Sequence, residues 1–297
     1  MLHVPVLLEE SLDFLLHDLS GTYLDLTFGR GSHSQEILNR ISPHGILYAV
    51  DRDLEAILYG KENISDSRFS ICHSNYSEID SLFPIQKFDG ILLDLGICST
   101  HLDNPERGFS FQSNGPLDMR MDVADGFTAS EWLNAASEKE ISDILYKYGE
   151  EKASRKIANA IVKHRAIKPL ETTRDLTKII ETVLKRVSKT HPATKSFQAI
   201  RIHVNNELHY LKIVLSKIKK MLKVNGVIVV ISFHSLEDRI VKNFFKPEIQ
   251  EFPKDIPINT SIKETFKCVK KKIKPSPKEI ERNPRSRSAV MRVFSKL

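Results

Sequence analysis

Four short apolar runs in this chain end on residues that could bind or polarise a small ligand. The first closes on Asp25 and leads within six positions through Gly29 and Gly31 into a helix-like pattern, with apolar Ile37, Leu38 and Ile41. Glycines so close together let backbone N–H groups approach a ligand at a helix N-terminus. The second run, residues 46–50, closes on Asp51, 26 positions after Asp25. An acid so placed hydrogen-bonds the ribose hydroxyls of a nucleoside cofactor. Asp53 reads as the cap of the helix that follows. The run 88–93 closes on Asp94, and the run 227–233 on His234. Tyr76, after a weaker run at 69–72, is placed either to flank an adenine ring or to be a half-buried aromatic.

These residues act together only if their runs are parallel strands of one open sheet. Ligands collect at the carboxyl ends of such strands, where the strand order reverses. The order strand, tight turn, helix, strand fits that arrangement. After Asp94 the pattern changes. Residues 104–122 are rich in Gly, Pro, Asp and Arg and predict an elaborate loop containing Arg120. Helical periods then follow at 138–148, opened by a Ser137/Glu140 capping box, at 151–165, from Thr173, and in one long stretch over 197–222. A helical block of this length exceeds what a crossover between parallel strands needs. The expected organisation is a discontinuous sheet domain, 1–104 and 206–297, around an inserted all-helical domain, 105–205. Residues 246–261 are weakly patterned. Residues 266–269 and 289–294 predict an antiparallel pair closing the sheet, joined by a loop holding Arg285 and Arg287 and suited to phosphates.

Composition narrows the class. The 297 residues are 41% hydrophobic and 28% charged, ordinary for a globular chain. No run approaches the ~18 apolar residues of a membrane span, and the start has no basic region of a signal peptide. Cytoplasmic location is expected. Three widely spaced cysteines, Cys72, Cys98 and Cys268, fit neither a disulfide framework nor a zinc site, and no metal is expected. The net charge of +6 is uneven: residues 262–297 hold twelve Lys/Arg and three Asp/Glu, a local +9 that leaves the remainder near −3. A basic tail of this kind suits nucleic acid.

The residues exclude some chemistries and leave others open. A P-loop lacks its Gly-Lys-Ser/Thr ending. A Ser/His/Asp hydrolase using His234 and Ser235 lacks a G-x-S-x-G elbow. A dinucleotide oxidoreductase remains open, although the third glycine of its turn is missing.

Longer blocks carry a closer resemblance. They include Asp25-Leu-Thr-Phe-Gly-Arg-Gly31, Leu93-Asp-Leu-Gly96, Arg107-Gly-Phe-Ser-Phe111, Gly115-Pro-Leu-Asp-Met-Arg-Met-Asp122, His191-Pro-Ala-Thr-Lys-Ser-Phe197, Ile231-Ser-Phe-His-Ser-Leu-Glu-Asp238 and Asn283-Pro-Arg-Ser-Arg-Ser288. In this order, over almost the whole chain, they resemble the bacterial MraW family of methyltransferases acting on N4 of a cytosine in 16S ribosomal RNA. The resemblance implies an α/β fold: a Rossmann-like class I S-adenosylmethionine-dependent methyltransferase sheet with an inserted all-helical domain. It places S-adenosyl-L-methionine against Gly31, Ser32, His33, Asp51, Tyr76, Asp94 and His101. Methyl transfer to a weakly nucleophilic amine needs a group that accepts developing positive charge, which makes Asp94 the first candidate for the catalytic group, directly or through the cofactor. Arg120, His234, Arg285 and Arg287 are expected on the substrate side. The expected partner is 16S rRNA, within an assembled or nearly assembled small subunit. Two positions depart from the family pattern: Ser32 replaces a glycine, and His101 stands where glutamine is common. A non-catalytic rRNA-binding assembly factor on the same fold is the alternative.

Overall fold

A computed structural model describes residues 5–184, 191–247 and 265–297. The extreme N-terminus and most of the weakly patterned 246–261 stretch lie outside the described residues. The chain divides into two compact units, one formed by Met1–Gly96 with Leu208–Leu297 and the other by Ile97–Glu207.

The first unit is built on seven strands: β1 (Thr22–Asp25), β2 (Ile46–Asp51), β3 (Phe69–His73), β4 (Phe88–Asp94), β5 (Leu222–Ser232), β6 (Phe266–Ile273) and β7 (Val290–Lys296). They form one sheet in the order β3-β2-β1-β4-β5-β7-β6. The first five are mutually parallel, while β7 runs antiparallel to both β5 and β6. The order reverses between β1 and β4, so a crevice opens beyond the carboxyl ends of these two strands.

The alternation of side chains explains why the sheet is covered on both faces. On β4, Ile91 and Leu93 join a cluster with Leu24, Val50, Ile228 and Val230. Leu92, between them, joins the opposite cluster with Tyr23, Leu47, Val229 and Ile231. Successive strand residues point to opposite faces, and parallel strands buried on both sides therefore read as continuous apolar runs. Helix α1 (Leu8–Leu15) and helix α2 (Ser32–Arg40) cover the second face through Leu12, Leu15, Ile37 and Leu38. Helix α3 (Leu54–Asn63) and the short α4 (Ile79–Leu82) complete the first half of this unit.

The second unit is helical: α5 (Ser99–Asp103), α6 (Ala129–Ala135), α7 (Glu138–Gly149), α8 (Ser154–Arg165), α9 (Thr173–Val183) and α10 (Thr194–Val204). Its own core contains Trp132, Leu133, Ile141, Leu145, Ile157, Ile161, Leu176, Ile180 and Phe197. The loop 104–122 is pinned by backbone bonds: Leu117 N–H donates to Glu171 O, and Thr173 N–H to Gly115 O. Ser137 caps α7 by accepting from Glu140 N–H. The reverse bond of the expected capping box is replaced, because the Glu140 carboxylate accepts from the Trp132 indole at 3.1 Å.

The long helix expected over 197–222 is two helices, α10 and α11 (Glu207–Met221). Asn206 between them takes a left-handed φ of 48°. Asn205 uses its side chain to accept from Met121 N–H and donate to Met119 O. Threes and fours of apolar spacing continue across such a break, so the pattern could not show it. Strand β5 also starts earlier than expected, at Leu222, and Asn225-Gly226 falls inside it rather than at a helix end. The register of β4 against β5 shifts there, between Phe88 and Gly90. Helix α12 (Ser235–Phe244) follows β5, and α13 (Pro277–Arg282) lies between β6 and β7. Among the described residues no helix is long and apolar enough to cross a membrane.

Candidate active site

The crevice begins with the turn after β1. Gly29 and Gly31 both take positive φ, 56° and 70°. At Gly31 the space is also closed: a Cβ would lie 2.5 Å from the Phe28 ring. Both needs, handedness and room, select glycine. Gly31 N–H donates to Phe28 O at 2.7 Å, and Gly31 stands at the N-cap of α2. Ser32 is the first residue of α2 and is absent from the positive-φ residues. A glycine is not demanded there by the backbone, so the serine at 32 carries no left-handed strain.

Asp51 holds this turn from the neighbouring strand. Its Oδ2 accepts from Gly29 N–H at 2.7 Å and its Oδ1 from Asp53 N–H at 2.9 Å. Asp53 caps α3 by accepting from Glu55 N–H. Tyr76 opens a short 3-10 turn after β3, on the same edge, and packs partly buried against the sheet core.

Asp25 lies beneath the turn, buried, accepting from Thr27 N–H at 3.1 Å and from the Ser34 hydroxyl at 2.7 Å. Burial pushes its carboxyl up to about 6, against the pull of the Ser34 and Thr27 hydrogen bonds, with a smaller upward push from Asp51. Asp94, at the tip of β4, donates its N–H to Thr27 Oγ1 at 2.7 Å. Its Oδ2 is 3.8 Å from His33 Nδ1. Its Oδ1 is enclosed and meets no hydrogen-bond donor among the described residues. Burial drives the Asp94 carboxyl well above the usual range, and Asp25 and Glu237 push it in the same direction. A buried carboxylate oxygen without a donor, surrounded by further acids, is a position prepared for a cationic ligand group.

Glu237 was not singled out by the sequence reading. It is 2% exposed, and its Oε2 accepts from Phe233 N–H at 2.8 Å and from His234 N–H at 3.3 Å. The available signal was the H-x-x-E spacing at the start of α12, a capping-box spacing with histidine as the cap. His234 occupies the N-cap: its Nδ1 accepts from Glu237 N–H, and its Nε2 lies 3.1 Å from Glu237 Oε1. His234 thus has a structural duty at the carboxyl edge. Arg285 and Arg287 lie in the 3-10 turn (Pro284–Ser288) that feeds β7, both exposed.

The sheet unit therefore brings Gly31, Ser32, His33, Asp51, Tyr76, Asp94, His234, Arg285 and Arg287 to one edge. His101 and Arg120 belong to the helical unit. His101 is buried, 4.9 Å from the Phe109 ring. Arg120 makes a two-point ion pair with Asp118, at 2.9 and 2.8 Å. The three cysteines are free thiols.

A seven-stranded sheet in this order with one reversed strand, a glycine turn after β1 and acids at the tips of β2 and β4 defines a class I methyltransferase. The chain belongs to the MraW methylase family, whose match covers residues 1–297. It is 49% identical over 304 aligned residues to "Ribosomal RNA small subunit methyltransferase H" of Caldicellulosiruptor saccharolyticus, covering 99% of both chains. It is 47% identical to the protein of the same name from Legionella pneumophila, covering 99% of each. Among solved structures it resembles an rRNA methylase from Streptococcus thermophilus, with a TM-score of 0.45 and 11% identity over 100% of this chain and 99% of that one. The cofactor of this class is S-adenosyl-L-methionine. The residues fit it: Asp94 offers a cation an enclosed oxygen that meets no donor among the described residues.

Proposed function

We propose that this chain methylates N4 of a specific cytosine in the decoding region of 16S rRNA, using S-adenosyl-L-methionine. The observation that carries the reading is the end-to-end match to relatives that bear the name of a small-subunit rRNA methyltransferase. The same motif blocks that carry the family resemblance supply the choice of cytosine N4.

When bound, the cofactor supplies a methyl group made electrophilic by a sulfonium. The cytosine N4 lone pair is delocalised into its ring and is a weak nucleophile. The protein must therefore align it and accept the positive charge that develops on nitrogen. Asp94 is the group we assign to that task or to the cofactor beside it. Gly31, Ser32 and His33 line the cofactor turn, Asp51 takes the ribose, and Tyr76 the adenine side. His101 is a further residue assigned to the cofactor. The target base must leave its stack to reach a buried carboxylate. Arg285 and Arg287 bind phosphates beside the target. Arg120, aimed by Asp118, and His234, fixed at the start of α12, complete the substrate side. The helical unit supplies rRNA recognition, and the substrate is an assembled or nearly assembled small subunit in the cytoplasm.

The test is direct. Purified protein is incubated with S-adenosyl-L-methionine and either free small-subunit rRNA or assembled subunits, and the nucleosides are resolved by mass spectrometry. N4-methylcytidine is expected; its absence from both substrates sinks the assignment, and a different methylated nucleoside corrects it.

A further inference from the structure

The sheet's outer edge carries a strip of charge that the site above does not use. Residues 265–278 contain six lysines, Lys267, Lys270, Lys271, Lys272, Lys274 and Lys278, and no acid. All six are exposed. None is in an ion pair among the described residues, whereas Lys217 and Lys223 of the same unit pair with Asp80 and Asp89. The strip lies on β6, the last strand of the sheet. The ladder to β7 slips twice, at Cys268/Lys270 and Lys270/Ile273, so Lys270, Lys271 and Lys272 sit on a bulged stretch. The Lys271 carbonyl accepts from Arg292, itself clamped by Asp238 at 2.7 and 2.9 Å. The bulge is thus anchored to the sheet.

The register shows where the strip leads. Ile273 pairs with Met291, Met291 with Ile231, and Ile231 with Asp94. The upper end of β6 is level with Asp94 and three strand spacings away, about 14 Å. From there the lysines run down the edge for roughly 20 Å. Past the strand, Lys274, Lys278 and Arg282 continue toward Arg285 and Arg287. Lysines on an edge strand also deter pairing with other chains. That purpose does not require the charge to continue beyond the last paired residue, nor to end beside the reaction edge.

We infer that the β6 edge is a track for the phosphate backbone of the substrate rRNA flanking the target base. The inference rests on the proposed rRNA methyltransferase reading and adds a contact surface on the sheet unit, separate from the helical unit. Uncompensated lysines in a row bind phosphates by releasing counterions, without reading bases.

The experiment uses the full chain with Lys270, Lys271 and Lys272 changed together to Gln, and a second variant with the same three changed to Arg. Binding to small-subunit rRNA is measured from 50 to 300 mM salt, with KM for the RNA and calorimetric affinity for S-adenosyl-L-methionine. The Gln variant is expected to lose about tenfold or more in RNA affinity. Its log–log salt slope should be shallower by about 2, at ~0.7 per lost single-strand phosphate contact. The Arg variant should behave as wild type, and cofactor affinity should stay unchanged in both, reporting an intact fold. Wild-type RNA affinity and slope in the Gln variant, with methylation intact, overturn the track alone. Wild-type protein that neither binds nor methylates the RNA overturns the parent reading and the track with it. Loss of binding to phosphatidylserine vesicles with unchanged RNA binding reassigns the strip to a membrane surface.

Discussion

Asp94 donates its backbone N–H to the hydroxyl oxygen of Thr27 at 2.7 Å. The bond ties the tip of β4 to the turn after β1, across the point where the strand order reverses. The turn is fastened from the other side by Asp51, which accepts from Gly29 N–H. Hydrogen bonds therefore tie the glycine turn to the strand tips on both sides. Thr27→Val keeps the shape and removes the acceptor, leaving a part-buried N–H unmet at about 1–3 kcal/mol. Cofactor affinity should fall along with stability, while Thr27→Ser should recover most of both. Calorimetry and denaturation of the two variants would decide it. Wild-type affinity in the Val variant would mean that the bond positions nothing.

Asp94→Asn is expected to separate stability from activity. The side chain is 19% exposed, lies near two other acids, and has one enclosed oxygen that meets no donor among the described residues. Replacing it with a neutral amide should raise the thermal midpoint of the cofactor-free protein, by about 2 °C if the relief is about 1 kcal/mol. Methyl transfer should fall by roughly a hundredfold or more, the scale of losing one pre-arranged electrostatic group. Differential scanning fluorimetry alongside a methylation assay reads both. A variant that is less stable than wild type would contradict the electrostatic account of this residue.

Cofactor binding should release a proton. In the free protein the Asp94 carboxyl is held well above its ordinary range by burial, then by Asp25 and Glu237. A cation at the site favours the ionised form, so binding lowers that proton affinity and a proton leaves. Affinity should therefore strengthen as pH rises. Calorimetry in two buffers of different ionisation heat counts the protons; equal heats in both buffers refute the linkage. Asp94→Asn should abolish it.

Asp25 gives a stability signature of its own. Its carboxyl sits at about 6 in the folded chain against an ordinary value of 3.8, because burial outweighs the hydrogen bonds from Ser34 and Thr27. The folded state thus holds the proton more tightly than the unfolded state. Its contribution to stability is fully present below about pH 4 and is lost as pH rises through about 6. The span is about 3 kcal/mol at most, from ~1.4 kcal/mol per unit. Urea denaturation of wild type and Asp25→Asn at pH 4.5 and 7.5 isolates this group, and the stability difference between the two proteins should grow in favour of Asn at the higher pH.

Gly31→Ala should be far more costly than Ser32→Gly. At Gly31 the added methyl meets Phe28 at 2.5 Å and the backbone is left-handed at φ 70°. Strain of this kind costs about 1–3 kcal/mol, and moving the turn should weaken cofactor binding at least tenfold. Ser32 is already at an ordinary backbone conformation within α2. Ser32→Gly should change cofactor affinity by less than about threefold, since no conformational freedom is gained. A large gain would show that the serine hydroxyl itself obstructs the cofactor.

The sheet was readable because strands buried on both faces leave unbroken apolar runs, and because the chain must end each run on a polar residue before turning. Asp25, Asp51, Asp94 and His234 were found that way, and Asp53 by its capping position. Local pattern also announced the helical block and the basic tail. Three things needed the folded chain. The break between α10 and α11 depends on Asn205 reaching Met119 and Met121, more than 80 residues away. Glu237 acquires its influence only because α12 starts beside the tip of β4, and no local spacing reports that neighbour. The lysines of β6 looked like an unplaced basic tail until strand pairing set Ile273 in register with Met291, Ile231 and Asp94. Periodicity and turn chemistry are properties of adjacent residues, so sequence alone determined the elements and their ends. Which carboxylates share a buried space, and where a charged strip points, depend on contacts between distant segments, and tertiary structure alone decided them.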